Sequence, residues 1–293
     1  MDPRELRPVV AQLFARGRRR TVRVAIEQEY VVAAADGGVV PIGEVRRAAA
    51  GSLAAPYLSF EPGGQVELSL PPSLEPARDL RVLTADLRRR LGGITLRPIP
   101  VDPRLEVPLQ LTLPRYVAMQ QHFDRIGPAG RRMMRRTAST QLCLDWWPGR
   151  AGLEQWRVLN LAGPFLAARF NRSDRLATWL AVDPARTAFD DRLLRDDDAV
   201  ASYTAFAAGA SAFVDGAAGH LSTLFPPVRP RGTYLEVRFL DALPPEAIER
   251  AIAVLQELMY DDVRRREALR ELPCDEGLWR AAADGVLEQE LAA

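Results

Sequence analysis

Apolar and polar residues alternate in separated stretches of this chain, and between them apolar residues recur at helical spacing. Val22 to Val32 reads as a β-strand, a mainly apolar run that carries Glu27 and Glu29 two residues apart. Tyr57 to Leu70 breaks at Pro62-Gly63-Gly64 and resumes with Val66, Leu68 and Leu70 on one face and Gln65, Glu67 and Ser69 on the other. Ser139 to Asp145 alternates Leu142 and Leu144 against Ser139, Gln141, Cys143 and Asp145. Thr233 to Leu240 turns Leu235, Val237 and Phe239 inward and sets Glu236 beside Arg238 on the opposite face.

Helices fill the intervals. Asp79 to Leu91 carries Leu80, Leu83, Leu87 and Leu91 at helical spacing and ends at Gly92-Gly93, a C-cap signal. Arg115 to Ile126, Leu153 to Phe170, Ala199 to Val214, Glu246 to Tyr260 and Leu278 to Leu291 read likewise, the second of these kinked or broken at Pro164. Strands spaced by helices suit a parallel α/β fold, yet polar strand faces argue against a sheet covered on both sides. The expected class is therefore α+β, with an antiparallel or mixed sheet in a single domain over residues 1–293.

The acidic positions carry the first chemical implication. Alternation at about 3.3 Å per residue points Glu27 and Glu29 the same way, roughly 7 Å apart. Two unit charges at that distance repel by about 2 kcal/mol at an effective dielectric near 20. One such strand is an ordinary solvated face; acids recurring on several polar faces call for a cation among them. Carboxylates and an amide are hard oxygen ligands suited to Mg²⁺, which commonly bridges protein carboxylates and substrate phosphates.

At these residues the chain resembles a known family. Glu27-Gln28-Glu29-Tyr30, the block Phe60-Glu61-Pro62-Gly63-Gly64-Gln65-Val66-Glu67-Leu68-Ser69, the run Met133 to Gln141, and Leu224-Phe225-Pro226-Pro227-Val228-Arg229 followed by Tyr234 to Arg238 resemble the plant and bacterial type of glutamate-cysteine ligase. The resemblance is nearest to the branch that makes γ-glutamylcysteine for ergothioneine synthesis, and runs from Thr21 to the C-terminus in the same order. It implies a glutamine-synthetase-like catalytic fold, a curved sheet with helices on one face that binds ATP, Mg²⁺ and amino-acid substrates. It also implies that ATP phosphorylates the γ-carboxylate of glutamate and that the amine of cysteine displaces the phosphate. By position, Glu27, Glu29, Glu67 and Glu236 are implied metal ligands, with Glu61 and Gln141 also lining the metal and nucleotide site. Arg238 matches an arginine that meets the transferred phosphoryl group, where cations lower the barrier.

Further basic positions follow from the same resemblance. Arg175-Leu-Ala-Thr-Trp179 and Arg186-Thr187 resemble elements that bring an arginine to a substrate carboxylate or phosphate; Arg186 reads more readily as structural. Of the Arg131 to Arg136 run, Arg132 is the arginine expected to enter the site. The chain is shorter than the family between Ser173 and Arg175, from Asp198 to Leu221 and after Glu271, and Cys143 replaces a common asparagine. Those departures touch the amine side, so an amine other than cysteine, or metal-nucleotide binding without ligation, are the alternatives.

Composition narrows the rest. The 293 residues are 47% hydrophobic and 26% charged, ordinary for a globular protein. All 39 basic residues are arginine, which removes P-loop and Schiff-base lysine chemistry. A net charge of +1 argues against nucleic acid as a partner despite the Arg16 to Arg20 cluster. Acids and a proline near the N-terminus, and the absence of any membrane-length apolar run, give the expectation of a cytoplasmic protein without a membrane partner. Cys143 and Cys274 form no metal-binding spacing, and His122 and His220 read as helix-surface or loop residues.

Overall fold

The computed structural model describes residues 1–15 and 19–287. The strands are β1 (Val24–Ala33), β2 (Leu58–Phe60), β3 (Val66–Ser69), β4 (Thr95–Arg97), β5 (Thr140–Asp145), β6 (Val228–Pro230) and β7 (Tyr234–Val237). They form one seven-stranded sheet in the order β2-β3-β1-β5-β7-β6, with β4 paired to the far end of β1. Every pairing is antiparallel. The α+β class and antiparallel sheet expected from the sequence are what the chain forms.

Alternation sorts the sheet into two faces. Val24, Ile26, Tyr30 and Val32 of β1 join Val66 and Leu68, Leu142 and Leu144, and Leu235 and Val237 in the main core. The helices Pro76–Leu91, Gly149–Phe170 and Pro245–Tyr260 pack on that side. Burying a side chain of this size contributes roughly 1.5–3 kcal/mol, which fixes the register because a one-residue slip would turn the apolar set outward. Smaller helices, Pro114–Asp124, Ala129–Arg136 and Arg175–Leu180, meet around a second apolar cluster with Met119, Phe123, Met133, Met134, Trp179, Val182 and Phe225. Side chains of these helices and of the polar sheet face line one cavity, so helices flank the sheet on both sides.

Local signals explain most helix ends. Pro76–Leu91 begins with proline in its first turn and stops at Gly92, whose φ is +58°. Gly149–Phe170 runs unbroken through Pro164, contrary to the expected kink or break; every residue from Val158 to Ala167 is buried, and packing on all sides holds the helix. Asp198 caps Ala199–Gly209 through two backbone N–H groups, and that helix stops at Gly209 rather than Val214. The last helix spans Leu278–Ala283; the expected extension to Leu291 lies partly outside the described residues, as does part of the Arg16 to Arg20 cluster. Among the described residues no helix is long and apolar enough to cross a membrane.

Candidate active site

Register builds the site. Glu29 of β1 stands opposite Glu67 of β3, and Glu67 opposite Ser59 of β2. Glu27 is opposite Ser69 on one side and Gln141 on the other. One step further along, Cys143 lies opposite Glu236, which in turn faces Arg229 of β6. Because paired residues in an antiparallel sheet share a face, these pairings gather Ser59, Glu67, Glu29, Glu27, Gln141, Glu236 and Arg229 on the polar side. All of these but Ser59 line a cavity of about 410 Å³.

At one end the acids converge. Glu29, Glu61 and Glu67 each offer an oxygen within 4.8 Å of the others. Glu61 comes from the turn after β2, where its carbonyl accepts the Gly64 N–H at 2.8 Å. Gly63 has to be glycine there, since a Cβ would sit 2.1 Å from the Arg135 carbonyl oxygen. Fixed neighbours orient two of the acids. Glu29 accepts the Ser139 backbone N–H at 2.7 Å and the Gln141 amide at 3.0 Å; Glu67 accepts the hydroxyls of Ser59 and Ser69 at 2.7 and 2.8 Å. Burial, and then the charges of neighbouring carboxylates, raise Glu29 and, more strongly, Glu61 above the ordinary carboxylate range. Glu27 is raised by burial and by Glu67, and the same causes, burial followed by Glu27, push the Cys143 thiol well up. Three hard oxygen donors this close, with Glu29 and Glu61 disfavoured as bare charges, suit a divalent cation such as Mg²⁺.

At the other end the arginines converge. Glu236, 3% exposed, pairs with Arg238 and lies 3.7 Å from Arg229 and 3.6 Å from Arg231. Arg238 also donates to the Gln141 carbonyl oxygen at 2.7 Å. Burial and the neighbouring Arg229 push its guanidinium down to about 9. Gln141 therefore links the halves, accepting from Arg238 and donating to Glu29. Arg175 is buried between them; it donates to the backbone oxygens of Leu240 and Arg238 at 3.1 and 3.3 Å and lies 5.3 Å from the Trp179 ring centre.

Each residue singled out in the sequence can now be placed. Glu27, Glu29, Glu61, Glu67, Gln141, Arg175, Glu236 and Arg238 all line the one cavity. The close trio is Glu29, Glu61 and Glu67, while Glu236 is engaged by arginines and Glu27 stands between the two ends. Arg132 does not enter. Its guanidinium forks onto Asp174, and it lines a different hollow on the far side of the Ala129–Arg136 helix, whose Met133 and Met134 face the cavity instead. Arg186 is fully buried against Asp183, Thr223 and the Phe213 ring, a structural arrangement. Both histidines depart from the surface reading: His220 is buried, and His122 bonds Asp183 at 2.9 Å. Sequence reasoning missed Arg229 and Arg231, although the Pro-rich entry to β6 brings them beside Glu236, and it missed the apolar end built from Met119, Met133, Met134 and Phe225.

Residues 19–290 match the profile of glutamate-cysteine ligase family 2. The chain is 31% identical over 289 residues to glutamate-cysteine ligase EgtA of Mycolicibacterium smegmatis, covering 80% of this chain and 67% of that protein. Its counterpart in Mycobacterium tuberculosis is 31% identical over 280 residues, covering 77% of this chain and 64% of that protein. The chain thus spans about two thirds of the length of the curated relatives it matches. Among solved structures, a glutamate-cysteine ligase from Francisella tularensis in complex with AMP aligns with 94% of this chain and 72% of its own at 12% identity and a TM-score of 0.53, a likeness of fold.

Proposed function

The chain belongs to glutamate-cysteine ligase family 2, and on that premise we propose that its cavity joins the γ-carboxylate of glutamate to the amine of cysteine, using ATP and Mg²⁺, as in ergothioneine biosynthesis. The observation that carries this reading is the division of one cavity into a carboxylate trio and an arginine cluster, linked through Gln141. Glu29, Glu61 and Glu67 would hold Mg²⁺, which when bound supplies charge neutralisation for the ATP phosphates. The AMP bound by the Francisella ligase of like fold supports a nucleotide substrate.

The chemistry then divides between the chain's own residues. The γ-carboxylate of glutamate attacks the γ-phosphorus of ATP, ADP leaves, and γ-glutamyl phosphate forms. The amine attacks the acyl carbon, phosphate leaves, and the amide results. In both steps negative charge grows on phosphoryl oxygens, and Arg238, with Arg229 and Arg231 around Glu236, lies ready to meet it. Even lowered to about 9, Arg238 stays cationic at neutral pH. Arg175 positions the strand end by holding two backbone oxygens, one of them that of Arg238. Residues 1–293 act here as one catalytic domain in a small-molecule ligase, with no nucleic acid or membrane partner and a cytoplasmic setting.

A second reading concerns the amine. The apolar end offers Met119, Met133, Met134, Trp179 and Phe225, more apolar surface than the side chain of cysteine would cover. An amine with a larger apolar group is the alternative occupant. ADP release measured with Mg²⁺, ATP and glutamate across a panel of amines, with products identified by mass, tests both. γ-Glutamylcysteine as the main product supports the first reading; a different γ-glutamyl amide supports the second, and ATP binding with no ADP release for any amine removes ligation altogether.

A further inference from the structure

The arginines of the Ala129–Arg136 helix that turn away from the catalytic cavity line a second hollow of about 460 Å³. Arg131, Arg132, Arg135 and Arg136 stand on adjacent turns of that helix, so each has a like charge four residues away, an arrangement that weakens a helix unless an anion offsets it. Two of them have anionic partners within the fold: Arg131 bonds Asp124 at 2.7 Å and Arg132 bonds Asp174 at 2.7 Å. Among the described residues the other two have only neutral hydrogen-bond partners. Arg135 donates to the Gln120 side chain and the Val107 carbonyl, and Arg136 to the Asp102 carbonyl at 3.0 Å. Arg132 Nε is in addition buried without a hydrogen-bond partner among the described residues. Glu106 is the one further carboxylate lining the hollow.

We propose that this hollow is a binding site for a small oxyanion, a phosphate or a short dicarboxylate, held by Arg135 and Arg136 with Arg132 at its side. Guanidinium forks match two-oxygen anions, and Arg135 and Arg136 both line the hollow. The site is distinct from the catalytic cavity yet shares a helix with it, since Met133 and Met134 line that cavity from the other face. An anion bound here therefore bears on one wall of the catalytic cavity without entering it.

The test is thermal melting and titration calorimetry of the whole chain with inorganic phosphate and, separately, succinate, at constant ionic strength against chloride. Saturable binding of at least one of the two is expected, and which one saturates at lower concentration separates phosphate from dicarboxylate. Arg135→Gln with Arg136→Gln should weaken it by about 10-fold or more. Ala181→Glu, which adds a negative charge at the rim and leaves every arginine in place, should weaken it likewise and serves if the double variant fails to fold. Arg238→Gln should leave the component of binding that responds to Ala181→Glu unchanged, as should Arg266→Gln with Arg270→Gln in another arginine-bearing hollow. Absence of saturable binding, loss of that component with Arg238→Gln, or binding indifferent to Ala181→Glu would overturn the proposal.

Discussion

Glu67 and Arg238 do opposite work in the cavity, and substitutions there should separate fold from chemistry. Glu67 raises the proton affinity of Glu27, Glu29 and Glu61 by repulsion, so without metal its charge is a burden. Glu67→Gln keeps an oxygen that can accept from Ser59 and Ser69 while removing that charge. The metal-free protein should melt no lower than the parent, and turnover should fall about 10²-fold or more with a higher Mg²⁺ requirement, read from ADP release against Mg²⁺ concentration. Parent-like turnover would take Glu67 out of the proposed metal set. Arg238 meets both Gln141 and Glu236 through one guanidinium nitrogen, Nη1, so Arg238→Lys can keep those contacts but gives up the rest of the planar donor set, and turnover should fall by about 10²-fold although the charge is kept. At this scale Glu27, Glu29, Glu67 and Glu236 were legible because alternation assigns a face without knowing the partner strand. Which acids cluster was not legible, because that depends on β3 and β7 lying on opposite sides of β1 and β5. Arg132 went astray for a related reason: an arginine run on a helix has no inward side until the helix is docked, and Met133 and Met134 took that side.

Among the elements, the turn between β2 and β3 has the least room. A Cβ at Gly63 would meet the Arg135 carbonyl, and Gly64 has a φ of +91° with Gln110 against it. Gly63→Ala should therefore cost about 1–3 kcal/mol by overpacking, measured as a lower urea midpoint, and should also reduce Mg²⁺-dependent activity because Glu61 hangs from the same turn. A variant of parental stability would show that the Arg135 backbone can yield. The long helices and the four polar strands were readable from periodicity, and one helix end from Gly92, whereas Pro164 did not break its helix and the Ala199–Gly209 helix stops short of Val214. The short helices were not readable. Arg175–Leu180 is too brief to show a period, and Ala129–Arg136 is dominated by arginine, so docking rather than pattern defines them.

For the molecule as a whole, metal and proton should compete for the same carboxylates. Glu29 and Glu61 have folded-state values raised above those of an unfolded chain, so without metal their contribution to stability is present at low pH and is lost as pH rises through the raised range. A cation binds the ionised forms, so its contribution runs the other way. The rise in melting temperature on adding Mg²⁺ should be small near about pH 5 and grow toward about pH 8. A rise independent of pH would place the bound cation away from Glu29 and Glu61.

The sheet order also has a temporal meaning. The carboxylate trio needs β1 closed against β3, while the arginine cluster needs β5, β7 and β6 added on the other side, and these segments are separated by much of the chain. Closing such distant pairs is the slow part of folding. During refolding, helix signal and core fluorescence should return first, and catalytic competence should arrive as the final event, with no partly assembled form able to turn over.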